Sequence, residues 1–246
     1  MMMLEHKRLP YRRVELLSLL HPLSVRLRGF DAGGERRSAG DKRTLGIQLG
    51  DWLGTVPALA APGCRISTNH QIARFLEARH PEPALFPSDP EQRSAVEAAE
   101  RWGNDTFQMA ARRLLLAAAV RDPAGFSRSA ANGRIGPLLY RSALPRRLAI
   151  APIAAAFAVN EHSDRELLPE LAPMLDRIDA WIAEGVIGQP KPNAADFMIA
   201  PSLALILYRR DMPPLLEGRP SLALVDRLLP DPRSATLGRQ AVAHAS

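Results

Sequence analysis

Few residues in this chain have the type and spacing for chemistry, and they lie far apart. Cys64, the one cysteine, sits in "APGC", a Pro-Gly turn, where it reads as a bystander thiol with no partner for an internal disulfide. His70 and His80 have no cysteine beside them, which is not metal-ligand spacing. No nucleophile triad, metal cluster or Gly-rich phosphate loop is evident. What remains are sites a backbone could build. Thr68 and Asn69 fall where a helix should begin, and free N–H groups with the helix dipole favour an anion there. "GTVPAL" places Val56 and Pro57 at the start of a strand, and an X–Pro bond is the one kind that is sometimes cis. Asn193 and Asp196, three apart ahead of an apolar run, read as a helix capping box, a folding feature rather than a catalytic one.

The elements that must hold these residues follow from periodicity. "YRRVELL" predicts a short strand over 11–17. "DAGGERRSAGDKRT" has no apolar period and predicts a surface loop, part of an excess stretch near 31–54. Two apolar runs around "APGC" predict a hairpin, roughly 56–60 and 64–67. Ile72, Phe75 and Leu76 share one face of a helix over 69–79. Pro81, Pro83, Pro87 and Pro90 then keep 81–90 extended, as a linker. Beyond it everything reads as helix: 91–119 with Ser88 or Asp89 near its cap, 137–158 broken near Pro145 and Pro152, 164–184, a buried 193–209, and 220–229. The expected organisation is a small α/β unit over 1–80, the linker, an all-helical unit over 91–230, and a flexible tail over 231–246.

Composition narrows the classes. Of 246 residues, 46% are hydrophobic but only 5% aromatic, so Ala and aliphatic side chains must fill the core, which favours helix. The formal charge is +6 and the basic side is nearly all Arg, with Lys only at Lys7, Lys42 and Lys191. The arginines are scattered and not interleaved with aromatics, so no nucleic-acid partner is expected. A lone cysteine suits a reducing cytosol, and no stretch approaches the roughly 18 apolar residues of a membrane span. A soluble, cytoplasmic protein is expected.

Three stretches together resemble one family. "GTVPAL" is similar to the cis-proline element of thioredoxin-like domains. "STNHQIARFLEARHPEPALFP" resembles the helix and linker that follow it in glutathione S-transferases. "KPNAADFMIAPSLALIL" resembles the capped buried helix of the transferase C-terminal domain. The likeness runs from His6 to Pro230, and "ERWGNDTFQMAARRLL" looks like actinobacterial-type members. It implies a glutathione S-transferase fold: a thioredoxin-like N-terminal domain, here lacking its first strand, followed by an all-α domain. It implies glutathione as co-substrate and no metal. The glutathione backbone would pair with Val56 and Pro57 as an added strand. Its γ-glutamyl end would sit at Thr68 and Asn69, where the family has an acidic residue and a Ser. A small electrophile would lie near Trp102, Asn104, Gln108 and Arg112. The family's thiolate-stabilising Ser, Tyr or Cys has no counterpart here, because "LEHKRLPYRRVELL" aligns with the end of helix one, a turn and strand two. The resemblance therefore implies a misassigned start or a truncated chain, and no catalytic residue among those present. Members are commonly homodimers. The function implied is conjugation of glutathione, or a related thiol, to small electrophiles; the alternative is a non-catalytic transferase-fold protein that binds a ligand or a partner.

Overall fold

The computed structural model describes residues 1–14, 21–30, 56–122 and 150–229, apart from 153, 161 and 210. Helix dominates these residues, and the strands among them form one antiparallel pair. No described helix is long and apolar enough to cross a membrane.

Helix α1 (Met2–His6) ends at Lys7, and in α2 (His21–Leu27) Val25 is buried. Residues 11–14, the start of the predicted strand 11–17, carry no regular structure. Tyr11 instead folds back on α1, its hydroxyl donating to Glu5 at 2.5 Å. Residues 15–17, the 31–54 stretch, Pro145 and the 231–246 tail lie outside the described residues.

Strands β1 (Ala58–Ala61) and β2 (Cys64–Ser67) pair in a register that sets Ala58 opposite Ser67 and Ala61 opposite Cys64. Pro62 and Gly63 make the turn between them. Gly63 has φ of 76°, the left-handed value a type II turn needs at that place. The Val56–Pro57 bond ahead of β1 is cis. Helix α3 (Asn69–Arg79) leaves β2 at once and buries Ile72, Ala73 and Leu76.

Helix α4 (Pro90–Trp102) is capped by Asp89, whose side chain accepts from Gln92 N at 2.8 Å, with Pro90 in the first turn where no N–H is missed. It runs through one π-helical turn, Gly103–Phe107, into α5 (Gln108–Arg121). The sequence predicts one regular helix over 91–119; the rod is continuous but changes register in its middle. Of the predicted 137–158, helix is present at 150–152 and 154–156.

Helix α6 (Ser163–Ala183) tolerates Pro169 and Pro173 because both lie on its exposed side, where water can meet the carbonyls that lose their partners. Helix α7 (Ala194–Ile206) is buried nearly all round, as its apolar sequence requires. The short α8 (Pro213–Leu216) and α9 (Pro220–Leu228) close the chain. The main core runs from Met3 through α3, α4 and α5 to α7 and α9, while Leu116, Ala117, Ala119, Ile150, Ala154 and Val159 form a smaller, separate cluster.

Candidate functional site

The start of α3 is where the sequence-derived candidates come together. Thr68 N donates to Pro57 O at 3.1 Å, so the two ends of the hairpin unit, Val56–Pro57 and Thr68–Asn69, are joined. Thr68 is the cap of α3: at φ of 70° its Oγ1 accepts from Gln71 N at 3.3 Å. Asn69 occupies the first helical position, and its Nδ2 points across to Met198 Sδ of α7 at 3.9 Å. The backbone N–H groups of a first turn have no acceptor inside the helix, so this end presents donors and a partial positive charge.

Beneath that turn lies a cluster the sequence reading did not single out. Glu100 of α4 is fully buried. Its Oε2 accepts from Arg74 Nη2 at 2.9 Å and lies 3.4 Å from His70 Nδ1. His70 and Arg74 are one turn apart on α3, so the carboxylate bridges two helices. Glu100 Oε1 and Arg74 Nη1 are both buried without a hydrogen-bond partner. Burial raises the Glu100 pKa above the ordinary glutamate value; the charges of Arg74 and His70 oppose that shift without cancelling it. Arg74 also stacks over the Phe86 ring, 4.0 Å from its centroid. The i, i+4 spacing of two bases on α3 and the Glu97/Glu100 pair on α4 was the available sequence signal.

The four residues expected to line an electrophile pocket do not share one environment. The Trp102 ring stacks on Phe107 with centroids 5.4 Å apart and meets Trp181 edge-on at 5.2 Å. The guanidinium of Arg177 lies 5.2 Å from its centroid, so Trp102 is a packing residue of the α4–α6 contact. Asn104, in the π turn, is largely buried and donates from Nδ2 to Asp105 Oδ1 at 2.8 Å. Gln108 and Arg112 are half-buried one turn apart on α5. Gly103 sets how these helices meet: a Cβ there would stand 3.0 Å from both Ile199 Cγ1 and Met198 Cγ.

Two further polar hubs fix the frame. Asn193 Oδ1 accepts from Ala195 N and Asp196 N, while Asp196 Oδ2 accepts from Asn193 N at 2.8 Å. Asp196 Oδ1 also takes Gly188 N at 2.7 Å, and Asn193 Nδ2 donates to Val186 O. Burial raises the Asp196 pKa, against the pull of those backbone donors. Lys7 is enclosed at the far end of α3, where its ammonium donates to Glu77 Oε2 at 3.0 Å, His80 O at 2.5 Å and Pro83 O at 2.9 Å. Glu77 in turn accepts from Leu85 N and Phe86 N of the proline-rich linker.

Among the described residues no group of three or more His, Cys, Asp or Glu could hold a metal ion. No family model, no curated protein and no solved structure matches this chain.

Proposed function

We propose that this chain is a glutathione S-transferase-like protein that holds glutathione, or a related thiol, for transfer to small electrophiles. In this reading Val56–Pro57 to Arg79 is the ligand-holding part of a thioredoxin-like unit, and α4 to α9 are the helical domain. One observation carries it: the donor-rich start of α3, at Thr68 and Asn69, rests on the buried helix α7 through Asn69 and Met198. A peptide lying along Val56 and Pro57 would bring its anionic end to that turn. Homodimer formation belongs to the same reading. The test is retention on immobilised glutathione together with turnover of a chromogenic electrophile. Specific elution by free glutathione and a rate above the uncatalysed reaction are expected; failure on both counts refutes the reading.

A non-catalytic ligand-binding role is the second reading. The packing of Trp102 against Phe107, Trp181 and Arg177 favours it, because contacts within the protein already engage that ring. Elution by glutathione without turnover would select it.

A further inference from the structure

We propose that α1 is an acid-released strap: protonation of His6 lifts Met2–His6 from α7 while Lys7 and the rest of the fold stay in place. The inference is independent of what the start of α3 binds.

The strap is defined by where it is held. A helix of five residues does not persist alone in water, so contacts with the body of the protein must hold it. Its inward side chains supply them. Met3 is buried in the main core, Met2 and Leu4 pack against that core, and the His6 ring meets Phe197 of α7 with centroids 5.3 Å apart. The next residue is fixed separately. Lys7 is enclosed, and its ammonium donates to Glu77, His80 O and Pro83 O. Residues 2–6 can therefore leave as a unit, with the pivot just ahead of Lys7.

His6 is the group in that contact that acid changes. Its Nε2 is enclosed and has no hydrogen-bond partner. A neutral imidazole can direct a lone pair to such a place, whereas an imidazolium carries N–H on both nitrogens. Protonation thus puts an unmet donor at the α1–α7 contact, and an unmet buried group costs more when it is charged. The charges acting on the ring are Lys7, which opposes a second cation beside it, and Glu77 of α3, which favours one. Glu77 is already engaged: Oε2 takes Lys7 and Leu85 N, and Oε1 takes Phe86 N. Glu5, the acid of α1 itself, accepts from the Tyr11 hydroxyl. From α7 the ring meets Phe197, which carries no charge. Burial and Lys7 outweigh Glu77 and hold the His6 pKa below the ordinary 6.5. A freed ring then binds a proton more tightly than a seated one, so acid favours the freed form. Release uncovers the Phe197 ring and takes Met3 out of the core.

The experiment is methionine oxidation by dilute peroxide on the full chain, located by tandem mass spectrometry, with free methionine as the rate reference at each pH. Met3, Met198 and Met212 are all buried, but only Met3 belongs to the strap. From about pH 7 to pH 5 the Met3 rate should rise roughly three- to thirtyfold, the ceiling set by the 1.5 pH units below the ordinary histidine value. The Met198 and Met212 rates should stay as they were. In His6→Phe, which keeps a ring on Phe197, Met3 should stay protected at both values. An unchanged Met3 rate overturns the proposal, and so does a rise shared by Met198 and Met212, which would mean general unfolding. An equal rise in His6→Phe also overturns it, because another group would then be the trigger. If His6→Phe does not fold, His6→Leu carries the same comparison with the same outcomes.

Discussion

Burial tunes several single residues here, and His6 shows it most simply. Its Nε2 is buried without a hydrogen bond, and its ring sits 5.3 Å from Phe197. Burial lowers its pKa below the ordinary 6.5, and the neighbouring Lys7 charge adds to that. The folded form therefore favours neutral imidazole. The stability this contributes is present above about pH 6.5 and is lost as pH falls through the lowered value. His6→Phe keeps the ring contact and removes the titration. Its urea midpoint should change less between pH 7 and pH 5 than that of the wild type; equal changes would refute this account. Lys7 is the opposite case, a buried charge with all three donors used. Lys7→Met leaves Glu77 without its cation and two carbonyls without a donor, at a cost of about 3 kcal/mol in chemical denaturation. A loss under about 1 kcal/mol would mean that water replaces the ammonium at that site.

Elements were legible in the sequence where one local signal dominated. The hairpin announced itself through Pro62–Gly63, α3 through Ile72 and Leu76, and α4 through Asp89 and Pro90. Each signal is a backbone or periodicity effect that needs no distant partner. The π turn was not legible, because nothing in "GNDTF" forbids ordinary helix; it falls where Gly103 lies close against Met198 and Ile199 of α7, a contact made only after packing. The Glu100 cluster escaped for the same reason, since its members belong to two helices and pair only after packing. Of the strand predicted over 11–17, residues 11–14 carry no regular structure, and the Tyr11 side chain bonds to Glu5 of α1. Two predictions belong at this scale. Gly103→Ala should gain helix propensity but crowd Ile199 and Met198, with a net loss of about 1–2 kcal/mol; a stabilised variant would show that α7 can yield. Asp196→Ala removes the acceptor for two backbone N–H groups at a buried helix start. The expected loss is about 3 kcal/mol by urea denaturation, and a loss below about 1 kcal/mol would show that the loop carrying Gly188 is not held by this side chain.

At the scale of the whole molecule, stability should be distributed unevenly around α7. That helix buries Ala195, Asp196, Ile199, Ala200, Leu203 and Ile206 and takes contacts from α4, α5 and α9, so opening it breaks the main core. The hairpin is a weaker unit, because among the described residues its sheet has two strands, and an isolated pair is marginal in water. What holds it is α3, anchored at one end by Asn69 on Met198 and at the other by Lys7 with Glu77. The small cluster of Leu116, Ala119, Ile150 and Ala154 shares no side chain with the main core, and Arg113 crosses to it with one long bond, 3.4 Å to Ala158 O. Hydrogen exchange should therefore resolve three levels: amides of α7 exchanging only through global unfolding, those of β1 and β2 through a smaller opening, and those of 154–156 through the smallest. Lys7→Met should lower protection in β1, β2 and α3 more than in α7, since it cuts the anchor and leaves the core side chains in place. Equal losses in both would mean that the hairpin unit and the helical layer open as one body.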